Sequence, residues 1–519
     1  MTFINFCRLS TTIAFFSAIR YRFFCHTGFA IFILFTLLSC GTKTSTDSVS
    51  ETSASSGSVS ETSASGGSVS GGGSSTSVGT ATSTKQLTSD SHFGFLGNYY
   101  GLVGTEEGEK SWYYSLTNLA YFEPFSELGI KYDRPHPGPF VWETIERVQG
   151  VYDFTIPDDY VRRTQERDIN IVATIWPFAS WDQNSYDAIK CLGSRWGLDV
   201  PLMRCKPLDM TSYIKFIREL VDRYNGDGKN DMPGLTKPIK YWEILNEPET
   251  AYQSDKTGVQ PMVFFRGNQT DYSDLFSATA MAIKETDPEA QILNGGTTTI
   301  SSITTYWDFI MSINASNINI GSWHYDPAYD NLGDAGAKVW STFFNNYGIS
   351  KSWMTEFRVF NNTINSCSDE DCQAKKLVRS YVKAFNNGTG KIFYTYYIME
   401  HDGLVSPDGL RKRQAFYALR GLINKLDYFS SVTTAYLHDD ANYFAYKFIV
   451  DNKAVYVLWS AQDNSTVSFM LDNTSASTVK VTTSVPADNS SITLESTTLN
   501  VDNSSVSITL SSTPVYIEE

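Results

Sequence analysis

Eight short, continuously apolar runs recur along the middle of this chain, with helical patterns between them. They read FGFLG from Phe93, IKYDRP from Ile130, INIVATIWP from Ile169, IKYWEILNEP from Ile239, QILNGG from Gln291, INIGSWHYD from Ile318, KSWMTEF from Lys351 and KIFYTYYIM from Lys391. A strand that is apolar on both faces must be covered on both faces, which is the situation of a parallel sheet wrapped in helices. Between the runs, Tyr213, Phe216, Ile217, Leu220, Val221 and Tyr224 fall at the spacing of a helix that hides one stripe, as do Ala374, Leu377, Val378, Tyr381, Val382 and Phe385. Strand and helix alternating eight times predict an α/β fold, a (β/α)8 TIM barrel over residues 89–426.

Past Leu426 the period changes. AYLHDD, YFAYKFIV, AVYVLWS, STVSFML, STVKVTT, SITLES and SVSITL alternate apolar residues with polar ones and are separated by Asn/Asp/Ser turns. Period-2 alternation with regular turns predicts a C-terminal antiparallel β-sandwich over 427–519, joined to the barrel by a helix from Arg411.

The N-terminal part is of another kind. Arg20 and Arg22 precede an apolar run that is short for a membrane span and suits a signal peptide. Its end, Leu37-Leu38-Ser39-Cys40 before Gly41, resembles a bacterial lipobox, which implies a lipoprotein signal peptide over 1–40 and lipidation of Cys40. Gly41 and Thr42 in place of Asp imply sorting to the outer membrane or cell surface. Residues 41–88 are Ser/Thr/Gly-rich and repeat SVSETSAS from Ser48 and Ser58, so they cannot bury a core and read as a disordered tether. Four cysteines remain beyond the targeting segment, and export with short separation favours the disulfides Cys191 to Cys205 and Cys367 to Cys372. The net charge of −15, with no Lys/Arg run, argues against a nucleic-acid partner and against a polybasic membrane patch. Neutral sugars suit this charge better than polyanions. Aromatics at 14% are enough to furnish both a core and flat stacking surfaces for sugars. No CxxC or HExxH pattern suggests a metal, and no cofactor is expected.

Glu247 ends the fourth run and Glu356 the seventh, and in a barrel the groups that do chemistry sit at the C-terminal ends of strands. Two carboxylates converging on one cleft are the equipment of glycoside hydrolysis. YWEILNEP and WMTEF resemble the acid/base and nucleophile motifs of clan A glycoside hydrolases, closest to family 39, the β-xylosidase and α-L-iduronidase type, with family 5 near. The resemblance covers residues 92–519 and implies retention of anomeric configuration, with Glu247 as acid/base and Glu356 as nucleophile. It further implies that Asn246 bonds the sugar 2-hydroxyl, that Arg134 keeps Glu356 ionised, and that His324 or Tyr325 contacts the nucleophile or the sugar. His324 is favoured, because adjacent strand residues point apart. His136, Trp142, Trp176 and Trp181 are candidates for the sugar pocket or a stacking platform. Strand eight departs from the pattern, with Tyr396, Tyr397 and Met399 where a Trp is common and Glu400 and Asp402 beyond, and Tyr397 is taken there as a candidate substrate contact. Other readings stand beside these: rim ion pairs for the two glutamates, an ion pair of Arg134 with Glu243, a non-catalytic surface glycan-binding lipoprotein, and a structural surface protein.

Overall fold

The computed structural model describes residues 90–99, 120–194, 200–251, 262–325, 336–359, 367–395, 397, 403–435, 443–461, 465–472 and 474–519. The signal segment with Cys40, the repeat tether, Tyr396, Met399, Glu400 and Asp402 lie outside these residues. All eight apolar runs contain strands: β1 (Phe93–Phe95), β2 (Tyr132–Asp133), β3 (Asn170–Ile175), β4 (Tyr241–Ile244), β5 (Gln291–Leu293), β6 (Gly321–Tyr325), β7 (Ser352–Phe357) and β8 (Thr389–Tyr394). They pair in parallel in the order β5-β4-β3-β2-β1-β8-β7-β6. Parallel bridges from Leu293 to Ile320 and from Thr297 to Trp323 join the two ends and close the barrel.

Side chains alternate across this wall. Ala173, Ile175, Trp242, Ile244, Trp323 and Met354 point outward into the core shared with the helices. Tyr132, Val172, Leu293, Ile320, Trp353 and Phe393 fill the barrel floor. The helices at Met210–Tyr224 and Glu370–Asn386 bury every residue of the two stripes read from the sequence. Each starts at an aspartate, Asp209 or Asp369, whose carboxylate accepts first-turn amide hydrogens that have no helical partner. Both disulfides are formed, Cys191–Cys205 and Cys367–Cys372, with Cα separations of 5.1 and 5.3 Å.

The C-terminal strands are β9 (Ser431–Thr434), β10 (Tyr443–Val450), β11 (Lys453–Ser460), β12 (Ser465–Met470), β13 (Thr478–Thr483), β14 (Ser496–Asn500), β15 (Ser505–Leu510) and β16 (Val515–Glu518). Six form an antiparallel sheet in the order β9-β10-β11-β16-β13-β14, and β12 and β15 form a separate ribbon. Three strands differ from expectation. β9 precedes AYLHDD, most of which lies outside the described residues. SITLES is largely not a strand: Asp488 draws the amides of Ser490 and Ser491 into a turn, and pairing starts only at Ser496. β16, short and just after Pro514, carries too weak a pattern to be read, yet it sits at the sheet centre between β11 and β13.

The middle of the large sheet is buried on both faces, and its edge strands β9 and β14 are largely exposed. Ala445, Tyr456, Leu458, Val479 and Ile517 face the ribbon's Phe469, Val506 and Ile508. Their strand neighbours Tyr446, Phe448, Val455, Val457, Trp459 and Tyr516 belong to the barrel's own core. At this junction Phe429 stands edge-on to both Phe385 and Phe448, each at 5.1 Å, and Gln414 Nε2 donates to the Pro486 carbonyl at 2.9 Å. A side chain at Gly421 would overlap Leu494, so this helical glycine lets the sandwich close on the helix at Gln414–Leu426.

Phe448 is fully buried at the junction and Ile492 is 60% exposed. Phe448→Ala is expected to lower the unfolding free energy by about 3–5 kcal/mol, and Ile492→Ala by less than about 0.5 kcal/mol. Urea denaturation of the two variants checks this, and equal losses would mean that the junction does not hold the sandwich.

Candidate active site

Arg134 leaves the end of β2 and is fully buried inside the barrel. Its guanidinium spends each edge on a different acceptor. Nε donates to Glu243 Oε2 at 2.7 Å, Nη1 to Glu356 Oε1 at 2.8 Å and Nη2 to Asn246 Oδ1 at 2.6 Å. Strands β4 and β7 are thereby referenced to one rigid planar fork carried at the end of β2. Glu243, also fully buried, accepts further from Thr174 Oγ1 at 2.8 Å and from Ser322 Oγ at 2.9 Å. Ser322 Oγ in turn meets Thr355 Oγ1 at 2.6 Å. This polar layer lies on β3, β4, β6 and β7, above the apolar floor. Both readings of Arg134, a partner of Glu356 and an ion pair with Glu243, describe the same side chain.

Glu247 reaches the cavity through a backbone turn. Past β4, Leu245 and Glu247 have φ of +70° and +43°, left-handed values that cost a non-glycine residue on the order of 1 kcal/mol or more each. Hydrogen bonds hold the turn: Leu245 N to Ile175 O at 3.1 Å and Glu247 N to Gly295 O at 2.5 Å. Strand alternation gives way here, so neighbouring Asn246 and Glu247 can serve one cavity. With Asn246 Oδ1 held by Arg134, its Nδ2 group is the donor left for a ligand.

Glu356 arrives by a different device. β7 slips register against both neighbours: Trp323 pairs with Met354 but His324 with Glu356, and Ile392 pairs with Met354 but Tyr394 with Phe357. One extra residue is inserted, a β-bulge that turns Glu356 to the inside while Phe357 faces the outer helices. Without it, Glu356 would share the outward face with Met354.

His324, at the end of β6, places Nδ1 2.7 Å from Glu247 Oε1 and 3.7 Å from Glu356 Oε1. One donor atom from each of Glu247, His324 and Glu356 lies within 4.8 Å of the others. Gly296, at φ +63°, packs against the Nε2 corner of the imidazole, which any side chain there would overlap. The three groups have the spacing of metal ligands, but Arg134 already bonds Glu356 and His324 Nδ1 already meets Glu247, so a metal ion there would have to displace both contacts.

The two carboxyls titrate apart. Burial pushes Glu247 up, and the Glu356 charge adds to this against the pull of His324. Burial alone would raise Glu356 as well, but the charges of His324 and Arg134 outweigh it and hold Glu356 well below the usual carboxylate range. Burial disfavours the charged form of His324, yet the Glu356 charge and the bond to Glu247 prevail and raise it. His136 is brought down to about 3, chiefly by burial, so it is neutral at neutral pH.

The remaining expected residues lie further out or serve as walls. His136 is buried against Trp176 and Phe264, at ring distances of 5.7 and 6.2 Å. Trp176 is a wall and not a stacking platform: it is 0% exposed, with Nε1 donating to the Pro137 carbonyl at 2.7 Å. Trp142 and Trp181 pack edge to face at 5.0 Å, with Nε1 groups bonded to the Glu146 carboxylate and carbonyl, so both are loop-packing residues. Tyr397 is buried between Phe95 and Phe416, and its hydroxyl donates to Glu127. Tyr325 ends β6, but its side chain lies outside the described residues. Sequence reading missed Ser322, Thr355, Gly296 and Glu249. Only Glu249, in the same NEPE stretch as Glu247, carried a signal that could have been used.

No family model matches the chain and no curated protein is detectably similar in sequence. The structure, however, is similar to a family 39 glycoside hydrolase from the gut symbiont Bacteroides cellulosilyticus WH2, with TM-score 0.56 and 14% identity over 76% of this chain and 77% of that one. It is similar to a family 30 endoxylanase from Clostridium papyrosolvens C71, with TM-score 0.52 and 14% identity over 83% and 98% of the two chains. It is similar as well to an α-L-arabinofuranosidase from Thermotoga maritima, with TM-score 0.55 and 13% identity over 83% and 96%. At such identities the likeness is one of fold, the barrel with its appended sheet.

Arg134→Met would strand Glu243 as an uncompensated buried charge, and the expected loss of stability is about 3–5 kcal/mol. Adding Glu243→Gln should recover part of that loss, because the stranded charge is gone. Thermal unfolding of the single and double variants checks this; no recovery would mean that Arg134 stabilises through packing alone.

Proposed function

We propose that the chain is a retaining glycoside hydrolase acting on β-linked oligo- or polysaccharides, β-xylosidase-like or related, by double displacement. The observation that carries the reading is the carboxyl pair: oxygens of Glu247 and Glu356 within 4.8 Å of each other, one group raised and the other lowered in pKa. A separation of about 5 Å suits direct attack on the sugar, with no room for an intervening water. The family 39 and family 30 names of structures similar in fold support the same substrate class.

In this reading the ionised Glu356 attacks the anomeric carbon and forms a glycosyl ester, while Glu247 gives its proton to the departing oxygen. Water then attacks the anomeric carbon as Glu247 takes its proton, the bond from that carbon to the Glu356 oxygen breaks, and Glu356 leaves as carboxylate. Glu247 Oε1 meets His324 Nδ1, so the protonation of the two groups is linked. Asn246 Nδ2 would donate to the 2-hydroxyl, a bond that tightens as the oxocarbenium-like transition state forms. Arg134 and His324 keep Glu356 anionic, and neither step requires a metal or organic group. We further propose that Cys40 is lipidated and that the tether holds the catalytic body off the outer membrane or cell surface.

Glu356→Gln should abolish hydrolysis of an aryl β-glycoside panel without altering the fold by circular dichroism, and near-wild-type rates would remove Glu356 as nucleophile. Glu247→Ala should spare glycosylation of substrates with very good leaving groups and depress the rest; an equal fall in both classes would sink the acid role. The pH dependence of kcat/KM should be bell-shaped. Its acid limb lies low, because the depressed Glu356 stays ionised as pH falls. Its alkaline limb lies above the ordinary glutamate range, where the raised Glu247 loses its proton. Cys40→Ser should leave the protein soluble on cell fractionation, and retention in membranes would contradict the lipid anchor.

A further inference from the structure

Glu249 follows the Asn-Glu-Pro stretch, is fully buried, and has no part in the mechanism above. Its Oε1 accepts two hydrogen bonds from one residue, Thr298 N at 2.7 Å and Thr298 Oγ1 at 2.8 Å. Its Oε2 is buried with no hydrogen-bond partner among the described residues. A half-satisfied buried carboxyl costs stability, so its presence calls for a gain elsewhere.

Thr298 ends the segment 295–298, which is wedged between the two members of the Glu247–His324 contact. On one side, Gly295 O accepts from Glu247 N, and Gly295 N is held by the Tyr272 hydroxyl at 3.0 Å. On the other side, Thr297 O accepts from His324 N at 2.7 Å, Thr297 N donates to Ser322 O at 3.1 Å, and Gly296 packs against the Nε2 corner of the imidazole. The free end of the wedge is fastened by Glu249.

We propose that Glu249 is a positioning residue: by clamping Thr298 it fixes the 295–298 wedge and thereby sets the distance and angle at which His324 meets Glu247. The proposal rests on the hydrolase reading for its kinetic consequences, but not for its structural one. Glu249 also acts through charge. Burial, then the Glu247 charge, bring it to about 7 against the pull of the Thr298 donors, and the titratable groups its charge reaches are Glu247 and Tyr272. Above neutral pH an ionised Glu249 makes it harder for Glu247 to ionise, so it helps keep the acid protonated.

Two substitutions separate these roles in the full chain. Glu249→Gln keeps an acceptor for Thr298 and removes the charge, whereas Glu249→Ala removes both. The first readout needs no activity: the His324 imidazole titration by ¹⁵N NMR, assigned against a His324→Gln variant. It should move down in Glu249→Ala, as the contact with Glu247 loosens, and stay near wild type in Glu249→Gln. The second readout is kinetic. Glu249→Ala should lose up to about 100-fold in kcat with KM little changed, as for a misplaced catalytic group. Glu249→Gln should keep its rate on the acid side and shift only its alkaline limb to lower pH. Should Glu249→Ala fail to fold, Thr298→Val removes one of the two donors and takes its place in both readouts. A lowered melting temperature with an unmoved His324 titration and an unmoved alkaline limb would make Glu249 merely structural and overturn the proposal. If the wild-type chain hydrolyses nothing, the hydrolase reading fails, and the His324 titration alone decides the positioning claim.

Discussion

The whole site hangs on one buried cation. Arg134 meets Glu243 below, Asn246 beside and Glu356 above, so the acceptors at the ends of β4 and β7 are referenced to a single planar group. A buried guanidinium is tolerable only if its donors and charge are matched, and a buried Glu243 only if its oxygens are. Each satisfies the other's requirement, with Thr174 and Ser322 completing the set. Arg134 Nη1 then donates to Glu356. Structural ion pair and electrostatic control of Glu356 are therefore one interaction seen from two ends.

From this follows the difference between two chemically identical side chains. Glu247 and Glu356 share a cavity, but Arg134 bonds only the latter, while His324 is closer to the former. The low-dielectric surroundings magnify that asymmetry, because each missing or present charge is weakly screened there. One group is held as acid and the other as anion, which is the division of labour that a two-carboxyl displacement needs. The backbone contributes as much as the charges: two left-handed residues deliver Glu247, and an inserted residue in β7 delivers Glu356.

The strand runs were legible because a parallel barrel strand is apolar on both faces and leaves a dense signature. The helix stripes were legible for the same reason of burial. The sandwich was legible in its long, alternating strands YFAYKFIV and SVSITL and illegible where local side-chain bonds compete with pairing, as at Asp488, or where a strand is four residues long, as at Val515–Glu518. That the alternating faces of one sheet belong to two different cores could not be seen from the pattern, since an apolar residue reads the same whichever body covers it.

For the site, the chain by itself placed Glu247 and Glu356 at strand ends, and the family resemblance added Asn246, Arg134 and His324 as expectations. It also marked Trp142, Trp176, Trp181 and Tyr397 as aromatic candidates, and here local sequence could not tell a wall from a platform. Whether an indole offers its face or buries it depends on what packs against it, and those neighbours, such as Phe264 on Trp176, come from distant parts of the chain. Only the tertiary structure decided which way Glu356 points, because period-2 alternation alone would turn it outward and a bulge is set by pairing with both neighbouring strands. Only the tertiary structure joined Glu249 to His324 through Thr298, because that link crosses from the end of β4 to the loop after β5 and no periodicity along one segment records a contact between two.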